Sequence, residues 1–308
     1  MTTSPTLFSF GLGYSALALS RRLQAEGWAI AGTCRSAESM ASLRQEGFAV
    51  TQASREHPPV SPDADLATAT HLLISVPPDE LGDPVIDLYG EAIGRRHLKQ
   101  PFRWVGYLST TGVYGDRGGG WVDEASELAP TGERGWRRVR AERAWLDLFE
   151  NTGLPVHLFR LAGIYGPGRS ALDTLRAGKA QRVVKRGQVF SRIHVADIAS
   201  VLAASIAKPD PGAAYNVCDD DPAPPDAVIA YAAELLGVEP PPEILFEQAE
   251  LSAMARSFYA DNKRVSNRRI KEELGVRLLF PSYRDGLRAL FDAELAINSL
   301  STPGGGEG

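Results

Sequence analysis

The chain predicts an α/β fold: a doubly wound parallel sheet carrying a smaller C-terminal α+β lobe. Two patterns carry that expectation. Short apolar, strand-like runs alternate with helical patterns through the first 160 residues, as in a parallel sheet covered on both faces. After about residue 170 the alternation lapses, prolines cluster at Pro222-Ala223-Pro224-Pro225 and Pro240-Pro241-Pro242, and the remaining strand signals are short.

The opening run, Leu7-Phe8-Ser9-Phe10, predicts a strand over 6–11 that enters a glycine turn and then a helix over 14–26, with Ala16, Leu19 and Leu23 on one face. The turn reads Gly11-x-Gly13-x-x-Ala16, the dinucleotide fingerprint in its strand–turn–helix setting, which makes the sheet Rossmann-type. Gly11 permits the tight turn, Gly13 leaves room for a pyrophosphate to approach the backbone, and Ala16 lets the helix pack closely on the strand. The first amides of the helix and its dipole then face the anion.

Further strands are expected at 28–33, 48–52, 71–76, 103–108 and 155–160, with helices at 38–46, 84–98 and 134–150 between them. Later helices are expected at 195–206, where Ile198, Val201, Leu202 and Ile206 make an apolar face, and at 225–237, 266–274 and 282–297. Short strands are expected near 183–190 and 214–217. The division is a dinucleotide-binding domain over 1–170, an intertwined substrate lobe over 171–298 on the carboxyl edge of the sheet, and a glycine-rich, disordered tail over 299–308.

Composition excludes several classes. Of 308 residues, 44% are hydrophobic and 23% charged, as in ordinary globular proteins. A net charge of −5 argues against a general nucleic-acid surface. No stretch approaches the roughly 20 apolar residues of a membrane helix, and the N-terminus enters a strand without a basic-then-apolar signal region. Cys34 and Cys218 are too few for a disulfide framework or a zinc site, and Cys34 is expected at a strand end as a small apolar residue. The expectation is a cytoplasmic protein with a small-molecule substrate and no metal, membrane or nucleic-acid partner.

The end of the second strand distinguishes the two dinucleotides. An NAD-selective site places a carboxylate there for the ribose hydroxyls, and a carboxylate would repel a 2′-phosphate. This chain reads Cys34-Arg35-Ser36, with Glu38 only in the following helix. Arg35 and Ser36 offer a cation and a hydroxyl suited to a phosphate, so NADP is expected over NAD.

Four stretches together resemble the extended short-chain dehydrogenase/reductase superfamily, whose members include NAD(P)-dependent sugar-nucleotide epimerases and dehydratases. They are the glycine turn, Leu108-Ser109-Thr110-Thr111-Gly112-Val113-Tyr114-Gly115, Arg160-Leu161-Ala162-Gly163-Ile164-Tyr165-Gly166-Pro167-Gly168, and Ser191-Arg192-Ile193-His194-Val195-Ala196-Asp197. The resemblance implies that Thr110 is the catalytic Ser/Thr, four residues before Tyr114, and that Arg192 contacts substrate. Tyr114 is a further candidate substrate contact near the cleft, although the resemblance makes the tyrosine of Val113-Tyr114-Gly115 usually structural. It also implies cofactor contacts from Gly11, Leu12, Gly13, Tyr14, Arg35, Ser36, Val76, Pro77, Arg140 and Ala162. The helices at 84–98 and 134–150 resemble those that pair subunits in the superfamily, so a monomer or homodimer is expected.

The family's Tyr-x-x-x-Lys pair is the point of departure. Its lysine lowers the tyrosine pKa and binds the nicotinamide ribose, while the tyrosine exchanges a proton with substrate. The spacing here puts Trp136 at the tyrosine position and Arg140 at the lysine position. An indole cannot do a phenol's acid–base work, whereas Arg140 stays cationic and can hold ribose hydroxyls. Dehydratase members carry Asp-Glu after the catalytic threonine, where this chain has Thr111 and Gly112. Two readings stay open. One is an NADP-dependent oxidoreductase or epimerase-like enzyme with an atypical site, acting on a small polar substrate such as a sugar derivative. The other is a non-catalytic NADP(H)-binding sensor or regulator.

Overall fold

The structure, a computed structural model, describes residues 4–301. The first half runs β1 (Thr6–Phe10), α1 (Tyr14–Ala25), β2 (Ala29–Cys34), α2 (Ala37–Gln45), β3 (Ala49–Gln52), α3 (Pro62–Asp65), β4 (His71–Ile74), α4 (Pro84–Lys99), β5 (Trp104–Thr110), β6 (Trp121–Val122) and α5 (Glu133–Thr152). The second half runs β7 (Val156–Leu161), β8 (Gly163–Tyr165), α6 (Ala171–Arg176), β9 (Arg182–Val184), β10 (Arg192–His194), α7 (Val195–Ala207), β11 (Ala214–Val217), α8 (Pro225–Leu236), β12 (Glu243–Leu245), α9 (Ala253–Phe258), β13 (Arg264–Val265), α10 (Arg268–Glu272) and α11 (Tyr283–Ser301).

Seven strands form one parallel sheet in the order β11-β7-β5-β4-β1-β2-β3. The chain moves outward from β1 through β2 to β3, then returns to β4 on the other side of β1. The strand order therefore reverses between β1 and β4, and the crevice at their carboxyl ends is where open α/β sheets bind ligands. Period-two alternation explains why β1 reads as a continuous apolar run. Leu7 enters the core on the α1 and α7 face, while Phe8 and Phe10 enter the opposite core with Tyr89, Ile93 and Trp145.

The strand at 71–76 stops at Ile74. Pro77 has no N–H for a ladder and holds Val76 extended, so both begin the loop. β5 instead runs two residues further than expected, and that extension places Thr110 at the carboxyl edge.

The segment 214–217, which the sequence reading gives to the small lobe, is β11, the edge strand of the main sheet beside β7. Ile198, Val201 and Leu202 of α7 likewise pack in the core with Leu19 and Leu23 of α1. The small lobe is therefore built around α6, α8 and α11, with Leu172, Val228, Ala232, Tyr283 and Leu287 at its centre. Of the expected tail, residues 299–301 continue α11, and 302–308 lie outside the described residues. Among the described residues no helix is long and apolar enough to cross a membrane.

Candidate functional site

The glycine turn is pinned to the end of β2. The Gly11 N–H donates to Thr33 Oγ1 at 3.0 Å, and the Leu12 N–H donates to Thr33 O at 2.8 Å. Gly11 has φ +82°, and a Cβ there would lie 2.9 Å from Val76 Cγ2, so turn geometry and the closeness of Val76 both require glycine. Gly13 is different, because a Cβ there would meet no atom within 4 Å. The fold itself does not need glycine at that position, whereas a ligand lying against the backbone would. Helix α1 starts at Tyr14 with Gly13 as its N-cap, no side-chain cap and no acidic residue in its first turn. Its N-terminal amides are thus left for an anion. These features fit the diphosphate of a dinucleotide. The Leu12 side chain is buried, so Leu12 offers only its backbone, and Ala16 is fully buried against the sheet.

On the adenosine side, Arg35 is exposed just beyond β2, and its backbone carbonyl accepts from Gln52. Ser36 is the N-cap of α2, with its Oγ accepting the Ser39 N–H at 3.2 Å. Val76 is half-buried and Pro77 exposed across the crevice.

Thr110 ends β5. Its Oγ1 accepts the Gly112 N–H at 3.1 Å, and among the described residues its own O–H has no acceptor. The helix α5 is not set as its spacing predicts. Trp136 is 42% exposed, and Arg140 points to solvent in an ion pair with Glu133 at 2.5 Å. The inward side chain is Arg138, whose Nη1 donates to the carbonyl of Leu108, two residues before Thr110 on β5, at 2.6 Å. At 100° per residue, positions two apart point about 200° apart. A helix that buries Ala141, Glu142 and Trp145 and turns the half-buried Arg138 toward β5 must therefore turn Trp136 and Arg140 away from that face. The register moves by two, so the inward cation is Arg138 and Arg134 stands one turn before it. α5 contains neither tyrosine nor lysine.

Below Thr110 lies a buried polar network. Ser109 Oγ donates to Glu142 Oε1 at 2.5 Å, and Arg160 pairs with Glu142 at 2.8 Å. Arg160 Nη1 also donates to Tyr114 Oη at 2.9 Å, and that hydroxyl donates to Asn216 Oδ1 at 2.7 Å. Tyr114 is fully buried with its hydroxyl consumed, which corrects the expectation that it touches substrate. The network ties β5, β7, β11 and α5 together under the site. Its legible sign was Arg160, a cation in a fully buried strand, which needs a buried partner.

A cavity of about 430 Å³ opens in the small lobe, lined by Tyr165, Arg169, Ser170, Gln181, Arg192 and Tyr283 among others. Arg192 Nη1 donates to Phe190 O at 2.9 Å and to Ala223 O at 3.0 Å. One lining residue of the cavity, Arg169, reaches the start of α1. Tyr14, the first residue of α1, donates from Oη to Pro167 O at 3.1 Å, and the Arg169 guanidinium stands 5.7 Å from the Tyr14 ring centre. Gly166 allows this approach, since a Cβ there would lie 2.6 Å from Tyr14 Oη. Ala162, buried at the end of β7, donates its N–H to Val217 O. Arg169 was not singled out from sequence, because a glycine-flanked arginine in a loop reads as solvated until the fold brings it to Tyr14.

Two residues of the fourth motif are structural. His194 Nδ1 caps α7 by accepting the Ala196 N–H, and burial pushes the imidazole down to about 4. Asp197 accepts the N–H groups of Leu279 and Phe280 at 2.7 and 3.0 Å, holding the segment before α11. A second cavity, of about 450 Å³ beside Trp28, His71 and Arg103, lies at the amino ends of the strands, away from every fingerprint residue.

No protein-family model matches the chain. It is 30% identical over 240 residues to protein YeeZ of Escherichia coli K12, covering 75% of this chain and 84% of that protein. A conserved protein of unknown function from Silicibacter pomeroyi DSS is 54% identical with a TM-score of 0.86, covering 94% of this chain and 99% of the other. A Methylobacillus flagellatus protein assigned as an NAD-dependent epimerase/dehydratase is 26% identical with a TM-score of 0.71, covering 95% and 99%. With the parallel sheet, its uncapped glycine turn and these relatives together, the chain belongs to the epimerase/dehydratase-like, extended branch of the short-chain dehydrogenase/reductase superfamily, in the group that contains YeeZ.

Proposed function

We propose that the protein binds NADP(H) across the glycine turn and serves as an oxidoreductase or epimerase-type enzyme on a small polar, sugar-like substrate held in the small-lobe cavity. The observation that carries this reading is the contact of Tyr14, which follows the glycine turn, with Pro167 and with Arg169, a residue that lines the cavity. A bound nicotinamide would supply or accept hydride there. The backbone of Gly11 to Tyr14 would hold the diphosphate, Arg35 and Ser36 the 2′-phosphate, and Val76, Pro77 and Ala162 would flank the remainder. Arg138, in the place first given to Arg140, would hold ribose hydroxyls. Thr110 would donate its free hydroxyl proton to a substrate oxygen, and Arg192 and Arg169 would receive the substrate's anionic or polar end.

Fluorescence titration with both reduced cofactors tests the assignment. NADPH is expected to bind at least about tenfold more tightly than NADH, the worth of one charge-assisted contact, and Arg35→Ala is expected to remove the preference. Equal or tighter NADH binding would overturn NADP, and binding of neither would overturn the whole reading. Turnover of a carbonyl or sugar-nucleotide substrate that Thr110→Ala abolishes would establish the enzyme.

One observation favours a second reading. The inward face of α5 carries arginine and no phenol, so the family's proton relay has no counterpart on that helix. NADPH binding without turnover across such a screen would make the protein an NADP(H)-responsive sensor.

A further inference from the structure

Asp219 lies two residues beyond β11, at the carboxyl edge of the sheet. It is 2% exposed, its Oδ1 accepts the Asp221 N–H at 3.3 Å, and its Oδ2 has no hydrogen-bond partner. Its backbone N–H donates to Arg192 O at 2.7 Å, so the two residues are neighbours. Yet among the described residues Asp219 forms no ion pair. The hydrogen bonds of the Arg192 guanidinium go to the carbonyls of Phe190 and Ala223. A buried carboxyl without an ion pair resolves its desolvation by keeping its proton.

The surroundings agree with a neutral acid. Burial pushes the carboxyl up to about 8, with the Asp221 charge adding to the push, against the pull of the Arg192 charge and of backbone hydrogen bonds with Asp221 and Arg192. The other titratable neighbours of Asp219 are Tyr165 from β8 and Cys218, while Tyr283 from α11 and Asp221 face Arg192; the two tyrosines and the thiol are pushed up by burial and so uncharged near neutral pH. Arg192 is thus the nearby cation, and Tyr165, Arg192 and Tyr283 all line the cavity.

We propose that Asp219 is a positioning residue that governs the small-lobe cavity as an oxyanion site. While it is neutral, the charge of Arg192 is available to a phosphate, sulfate or carboxylate group of a ligand. Once it is ionised, it competes for Arg192 and repels that group. By reciprocity, an anion seated at Arg192 must draw a proton onto Asp219. This rests on the reading of the cavity as the substrate pocket, and it adds that occupancy is coupled to proton uptake.

Sulfate is the probe, because its charge is constant over the pH range needed. Calorimetric titration of the whole protein is expected to show sulfate binding about tenfold weaker at pH 9.5 than at pH 6.5, the effect of one nearby charge. Asp219→Asn, nearly isosteric and unable to ionise, is expected to keep the tight value at both pH values. At pH 8, titrations in buffers of different ionisation enthalpy are expected to show uptake of a fraction of a proton per sulfate bound to wild type, and that readout stands even if the variant does not fold. Wild-type affinity flat across the range, no proton uptake, or the same fall in Asp219→Asn would overturn the role of Asp219 and leave the cavity intact. Sulfate binding unaltered in Arg192→Gln would overturn the cavity as the anion site as well.

Discussion

Replacing Gly13 by alanine separates what the ligand demands of the glycine turn from what the fold demands. Gly13 sits at φ −97°, ψ −170°, a conformation alanine adopts without strain. A Cβ there meets nothing within 4 Å. The unliganded protein should lose only the difference between glycine and alanine as a helix N-cap, below about 1 kcal/mol. For a chain of this size that is a fall of about 2–4 °C at most in Tm. The new methyl group instead occupies the space through which a diphosphate reaches the α1 amides. Loss of a partly buried contact with the helix N-terminus is worth about 1–2 kcal/mol, so NADPH should bind roughly tenfold more weakly. Gly11→Ala is the control with the opposite signature. Its φ of +82° and the 2.9 Å approach to Val76 strain the fold with or without ligand, at about 1–2 kcal/mol for the backbone alone. Thermal unfolding and NADPH titration of both variants check the argument. Unchanged NADPH affinity in Gly13→Ala, or a fall in Tm matching that of Gly11→Ala, would refute it.

Three further outcomes are expected. Glu142→Ala leaves Arg160 charged and unpaired in a site where both side chains are at most 6% exposed, so urea unfolding should show a loss of about 3–5 kcal/mol. Arg138→Ala should weaken NADPH binding several-fold, whereas Arg140→Ala, which breaks only an exposed pair with Glu133, should leave affinity and stability unchanged; equal effects in a titration would restore the original register. Acid should destabilise the fold through His71 and His194, both held near 4 by burial against an ordinary value of 6.5. Folded imidazoles stay neutral while unfolded ones take up protons, so stability is full above pH 6.5 and falls toward pH 4. The fall is on the order of 3 kcal/mol per histidine, and a His71→Gln variant should show a shallower decline in urea midpoint between pH 7 and 4.5.

What could be read in the sequence depends on how local the physics is. The glycine turn was legible because its constraints act within six residues. A positive φ at Gly11, free space at Gly13 and a close contact at Ala16 all follow from strand–turn–helix geometry. The central strands β1, β4 and β5 were legible because burial on both faces leaves an apolar run. The inward face of α5 was not legible, because the stripe that marks it includes Glu142, a charge at a core position. Read alone, Glu142 belongs to the solvent side and the helix has no convincing apolar face, so its register had to be taken from motif spacing. Arg160 is what makes the stripe intelligible, since a guanidinium in a buried strand and a carboxylate on a buried helix face each account for the other. The same reasoning bears on Asp219. In the run Asp219-Asp220-Asp221 each residue reads as solvated, and in the fold Asp220 reaches Lys271 and Asn267 while Asp219 is buried beside Arg192, its Oδ1 accepting the Asp221 N–H and its Oδ2 left without a hydrogen-bond partner. Glu142 and Asp219 are both buried carboxyls, but only one meets a guanidinium. The paired carboxylate holds the sheet, and the unpaired one leaves the Arg192 guanidinium to the carbonyls of Phe190 and Ala223 in the cavity lining.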